Sequence, residues 1–417
     1  MPLNIWDEFL ADRNILKTIK KYNHFLNCKY VIKLGATHNH INVVKFVIDF
    51  MEKYKMITPH FIMNYFEHGI SCAGYEGNVV IIQYFVDYLD SNTQNSGKNS
   101  DMLNYVWKNG LTQACFRGHH DIVRLVIDRV DQKDFSLYLL HACKGFNVFR
   151  FCDAEQKVKH LDVIKIILLK AQTRISGVAE SIKTTCLKSN YTIFNLLKKH
   201  VISYGIKINW QLMFDIACIG RHLETIKSCL EQDVTYLTDG FRRACENDNA
   251  QIVKFLTGEH NKNGYLTLDK TPGLCAACRN GYLDIINIII KDTSDTMDWN
   301  SAFKSACEGG DIECVHTIVN VLKNIDEPVP WNIGMMVACK SSNIDIVNLA
   351  IKNGANAWDL GLLNARHCKN SDKNIIKLMI ENGANNNDDK NNTDSDDGDG
   401  DVDFDNDGDV DVDFIEN

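Results

Sequence analysis

The sequence predicts an all-α protein, a row of about eleven helix–turn–helix units followed by an acidic C-terminal tail. Three observations predict it. A short phrase recurs eleven times: two small residues, four to six mostly polar ones, an apolar pair, then an apolar stripe at helical spacing. Nine of the fifteen cysteines fall on the second small position of that phrase. Only five prolines occur in 417 residues, so long helical stretches run without interruption.

The recurrent small position, here the slot, is filled by Ala36, Gly74, Cys115, Cys143, Cys186, Cys218, Cys245, Cys278, Cys307, Cys339 and Cys368. The residue before it is usually alanine, as at Ala114, Ala277, Ala306 and Ala338. Two adjacent small side chains let neighbouring helices approach closely, and a buried cysteine packs as a small apolar residue. A glycine stands three residues after the slot at Gly77, Gly118, Gly281 and Gly310, where a left-handed residue would stop the first helix. An acidic residue stands at slot plus six in Asp121, Glu224, Asp284, Glu313 and Asp345, the charge favoured in the first turn of a second helix. Slots lie 27 to 43 residues apart and settle near 30 in the later half. The widest gap holds an insert at about 147–159, and 91–100 reads as a polar linker. One such pair cannot bury its apolar faces alone, so the units are expected to stack. At roughly 9 Å per unit, eleven would span on the order of 100 Å.

Residues 277–286, Ala-Cys-Arg-Asn-Gly-Tyr-Leu-Asp-Ile-Ile, resemble the middle of an ankyrin repeat. Gly354-Ala355-Asn356 and Gly383-Ala384-Asn385, 29 residues apart, resemble its end. The resemblance covers about residues 20–385 and implies an ankyrin-type helical-repeat solenoid. The Thr-Pro-Leu-His opening of that family is almost absent; Thr271-Pro272 is an echo one residue out of phase, which implies shortened or irregular hairpin loops. The Ala-Cys wording resembles the divergent ankyrin proteins of giant DNA viruses of amoebae. The division expected is an N-terminal cap or degenerate unit over 1–34, repeats over 35–385 and a disordered acidic tail over 386–417.

Trp107, Trp210, Trp299 and Trp331 each stand eight residues before a slot, and Trp358 stands ten before Cys368. One reading makes them a row of aromatic anchors for a protein partner, since tryptophan is enriched among interface hot spots. The other makes each a packing residue at the start of a first helix.

The net charge of −9 is misleading. Residues 386–417 hold thirteen aspartates, one glutamate and one lysine, a net of −13, which leaves about +4 on the rest. A nearly neutral body argues against a nucleic-acid groove. No run is long and apolar enough for a membrane span. The start, Met1-Pro2-Leu3-Asn4, lacks the basic-then-apolar order of a secretory signal, and one thiol per stacked unit does not suit disulfide geometry. Reduced thiols in the cytoplasm or nucleus of a host cell are expected.

The sequence carries no catalytic signature that points to an enzyme. Phosphate-cradling, dinucleotide and nucleophile-elbow motifs are missing. Cys275 and Cys278 have the spacing of half a zinc site, without a second ligand pair. His119-His120, His38 and His40 fall in turns between helices. His367-Cys368 lacks a third orienting group. Asp403, Asp405, Asp407, Gly408 and Asp411 copy the first half of a calcium loop, but its twelfth position is Phe414. No enzyme, cofactor, metal or small-molecule substrate is expected. The function expected is a non-catalytic scaffold that binds a host or viral protein. The alternatives are a self-associating component of a viral particle and an adaptor working through its acidic tail.

Overall fold

The computed structural model describes residues 28–53, 65–93, 100–130, 135–148, 154–172, 175–188, 190–259, 268–291, 297–368 and 372–385. Among them every regular element is helical, with twenty-two α-helices and no strand. They fall into eleven consecutive pairs, one for each slot. The first four are α1 (Cys28–Thr37) with α2 (Ile41–Lys53), α3 (Glu67–Glu76) with α4 (Val79–Thr93), α5 (Ser100–Arg117) with α6 (His120–Val126), and α7 (Ser136–Val148) with α8 (Ala154–Ala171). Then come α9 (Val178–Leu187) with α10 (Tyr191–Ser203), α11 (Trp210–Ile219) with α12 (Leu223–Leu230), and α13 (Thr238–Glu246) with α14 (Ala250–Lys254). The last four are α15 (Thr271–Asn280) with α16 (Leu283–Lys291), α17 (Trp299–Gly309) with α18 (Ile312–Asn324), α19 (Trp331–Lys340) with α20 (Ile344–Lys352), and α21 (Trp358–His367) with α22 (Lys373–Glu381). The chain divides into two compact units, Met1–Asp326 and Glu327–Asn417, so nine pairs belong to the first and two to the second.

The slot works as its residue types demand. From Ala36 to Cys339 it lies inside the first helix of its pair and is buried. In the first unit each first helix packs on the next, from α1 on α3 through α15 on α17; in the second, α19 packs on α21. Second helices meet as well, as α2 does α4 and α16 does α18. The phenylalanines at slot minus four, Phe214, Phe241 and Phe303, are fully buried beside these small residues.

The residue at slot plus three ends the first helix in the left-handed region. Gly77, Gly118, Gly281 and Gly310 have φ between 74° and 84°. The same conformation recurs without glycine at Asn39, Arg221, Asp248 and Ser342 (φ 55° to 64°). The acidic residues at slot plus six all lie in the first turn of a second helix, as expected from the helix dipole. Gly354 and Gly383 (φ 90° and 109°) end α20 and α22, so the two Gly-Ala-Asn triplets do close their units.

Two sets of cross-pair hydrogen bonds join the stack. In the first, the side chain at slot plus four reaches back to the end of the preceding first helix. Asn78 Nδ2 donates to the Ala36 carbonyl at 2.5 Å and Asn249 Nδ2 to the Cys218 carbonyl at 2.8 Å. His119 Nε2 lies 2.9 Å from the Tyr75 carbonyl, and His160, in the equivalent place after the insert, lies 3.3 Å from that of Phe116. These are carbonyls that a helix end leaves unpaired. In the second set, a side chain at the start of a first helix holds the loop that leads to the next pair. Gln211 Oε1 accepts from the Thr235 and Tyr236 amides, Asn332 Oδ1 from Asn356 and Ala357, and Asp359 Oδ1 from Asn385.

Several expectations shift. The first pair begins at Cys28, so a boundary at 35 would cut α1. The insert at 147–159 is helical at both ends, because α7 runs to Val148 and an eighteen-residue α8 starts at Ala154, while 149–153 lie outside the described residues. The last slot is Arg366 rather than Cys368. Trp358, Gly361 and Ala365 repeat the spacing of Trp331, Gly334 and Ala338, and Cys368 lies past the end of α21. Read this way, Trp358 also stands eight residues before its slot. Residues 1–27 and the tail from 386 lie outside the described residues, as does the calcium-like segment.

Candidate protein-interaction face

A first helix packed on both sides still leaves one stripe uncovered. In α11, Met213, Phe214, Ala217 and Cys218 are buried, whereas positions six and three before the slot and one after it point elsewhere. Their spacing of three and four residues places them on one face. Slot minus six is where the chain leaves large apolar side chains in the open. In the first unit these are Tyr30 (50% exposed), Leu137 (38%) and Leu212 (44%); in the second, Ile333 (44%) and Leu360 (48%). Single exposed apolar residues are ordinary. Recurrence at one register position sets these apart.

The stretch around Leu212 is the most built of the first unit. Gln211 Nε2 donates to the Tyr236 carbonyl at 2.8 Å and to Asp215 Oδ1 at 3.2 Å. With its two amide contacts, that one side chain fixes the loop carrying Tyr236, which is 61% exposed. Asp215 sits three residues along the same stripe, half-buried. Burial pushes its carboxyl up to about 6, and the negative charge of Asp239 adds to the rise against the Gln211 hydrogen bond. An apolar pair, Leu212 and Tyr236, thus stands beside a carboxyl that changes charge close to neutral pH.

The tryptophans divide. Trp107 is 2% exposed, because α5 begins at Ser100 and carries it inside the helix rather than at its start. Trp210 is 9% exposed and packs edge-on against Phe194, with ring centroids 6.4 Å apart. Both serve packing and are closed to a partner, which corrects the anchor reading for these two. Trp299 and Trp331 open α17 and α19 and are half-buried. The Asp298 carboxylate caps the first of these helices by accepting from the Ser301 amide at 2.9 Å.

Cysteines and histidines make up the remaining candidates. Cys278 is fully buried in the slot, and Cys275, one turn earlier on α15, is half-buried. Burial raises both thiols, which disfavours the thiolate that a nucleophilic role requires. Among the described residues no three His, Cys, Asp or Glu side chains group so as to hold a metal ion. His119 is used in the cross-pair bond, and His120 pairs with Asp121 at 3.2 Å. The His38 and His40 rings lie 6.3 Å apart. His367 Nδ1 lies 2.9 Å from the Leu363 carbonyl in its own helix, and Cys368 Sγ lies 3.5 Å from Ser342 Oγ. No helix among the described residues is long and apolar enough to cross a membrane.

The slot minus six row was readable in principle, since counting back from each slot finds it. Leu, Ile and Tyr are too common for single copies to mark the row, whereas the six tryptophans stand out. Taken together, paired helices, a small-residue slot and an uncovered first-helix stripe define an all-α helical-repeat protein. The chain matches no known family profile and no curated protein.

Proposed function

We propose that this chain is a non-catalytic, ankyrin-type interaction scaffold that captures a host or viral protein on the uncovered stripe of its first helices. The observation that carries the reading is the recurrence of an exposed Tyr, Leu or Ile six residues before the slot in five of eleven pairs. Exposed apolar side chains on a rigid helix lose little conformational entropy on binding, and a few of them supply most of an interface's energy. The half-buried Trp299 and Trp331 are secondary anchors, each at the mouth of its own helix.

The test compares the native chain with Leu137→Ser/Leu212→Ser, in which both substitutions fall on exposed positions. Proteins retained by the native chain from infected or source cells and lost by the variant, at unchanged helicity and melting temperature, support the scaffold. Retention equal in both discards the stripe as the binding face.

A further inference from the structure

In the second unit the uncovered stripes of α19 and α21 form one face. On α19, Ile333, Met336 and Lys340 stand at i, i+3 and i+7; on α21, Leu360, Leu363 and His367 repeat that order 27 residues later. Ile333, Leu360 and Leu363 are exposed, Met336 is half-buried, and Lys340 and His367 are exposed. The two helices pack together, so each contributes an apolar stripe that ends in a basic side chain. Arg366 adds positive charge three residues beyond Leu363.

The tail contains an occupant with matching chemistry. Asp-Val-Asp-Phe is written twice, at 401–404 and 411–414. In an extended chain alternate residues share a side, so Val and Phe would face one way and both aspartates the other. Val402 and Phe404 would then stand about 7 Å apart, close to the 8–10 Å between packed helix axes. The chain also leaves the repeats at the edge of this face. The Asn385 amide donates to Asp359 Oδ1 at 2.6 Å, one residue from Leu360. Sixteen residues separate Asn385 from Asp401, a length that can span at most about 55 Å, against about 15 Å for the length of α21. We propose that the segment 401–414 folds back onto the α19–α21 face, valine and phenylalanine on its apolar stripes and aspartates toward Lys340, Arg366 and His367. The contact is intramolecular, does not depend on the scaffold reading, and makes the tail a competitor for whatever else would occupy that face.

The experiment uses full-length protein and a fluorescein-labelled peptide of residues 401–414. Native chain and Phe404→Ala/Phe414→Ala are titrated with the peptide, followed by anisotropy. The variant, its own tail disarmed, should bind the peptide at least about tenfold more tightly than the native chain, whose tail competes at millimolar effective concentration. Adding Leu360→Ser/Leu363→Ser or, separately, Lys340→Glu to that variant should abolish the gain at unchanged helicity, and raising the salt should weaken it. Equal peptide affinity for native chain and variant, no binding by the variant, or indifference to both face substitutions would overturn the proposal. A native chain whose sedimenting mass doubles with concentration, and whose Phe404→Ala/Phe414→Ala form does not, would place the tail on a second copy and overturn it equally.

Discussion

At Gly281 the backbone sits at φ 74°, and an added Cβ would meet only Asp311 at an ordinary 3.6 Å. Gly281→Ala therefore isolates the left-handed backbone cost, and should lower stability by about 1 kcal/mol in urea denaturation. Ser342 holds φ 60° with a side chain, so Ser342→Gly should raise the midpoint in the same assay. The four glycines were legible because glycine announces the conformation; at Asn39, Arg221, Asp248 and Ser342 no glycine marks it, and only Asn and Asp tolerate it readily. Asp215 gives a second residue-scale prediction. Its folded carboxyl titrates above the unfolded one, so its contribution is fully present below about pH 4 and is lost as pH rises through about 6. Asp215→Asn should flatten the stability profile between pH 4 and 7 and stabilise the protein at pH 7.

Helix starts and stops were legible wherever a side chain caps its own element. The Asp311 carboxylate accepts from the Cys314 amide at 2.9 Å at the start of α18, and Asp311→Ala should cost about 1 kcal/mol, read from the thermal midpoint. The links between elements were not legible. Asn78, His119, His160 and Asn249 share a task but not a residue type, and the carbonyls they reach carry no sequence signature. Asn249 is buried, so Asn249→Leu should strand the Cys218 carbonyl and cost more than the cap, on the order of 1–3 kcal/mol in the same measurement. The last pair departs from the cysteine pattern. Cys368 repeats the favoured residue, but the run Trp358, Gly361, Ala365 fixes the register, since Gly361 must pass close to Met379 and Cys339.

Across the molecule, cysteine usage is a record of packing. Among the described residues eleven cysteines are buried and three, Cys72, Cys275 and Cys368, are half-buried. Burial pushes Cys143, Cys307, Cys314 and Cys339 up to about 12. A thiol reagent at pH 8 should label the three half-buried positions first and the slot cysteines only with denaturant, which peptide mapping resolves. Early labelling of Cys307 or Cys339 would contradict the packing described for the slot. The repeat count was legible because ten of the eleven pairs carry a small residue at the slot and the last repeats the Trp-Gly-Ala spacing of the pair before it. The uncovered stripe was harder to see, since nothing packs on it to constrain its composition.

The backward-reaching donors have a consequence for how such a chain changes length. Asn78, His119, His160 and Asn249 all point toward the N-terminus, each onto the carbonyls of an equivalent helix end. Excision of the whole pair preceding His119, His160 or Asn249 would bring that donor to the equivalent carbonyl of the helix end before it. Duplication would do the same in reverse. An excision out of phase would leave a donor facing a loop and a helix end unpaired, so inheritance of new lengths should run in whole pairs.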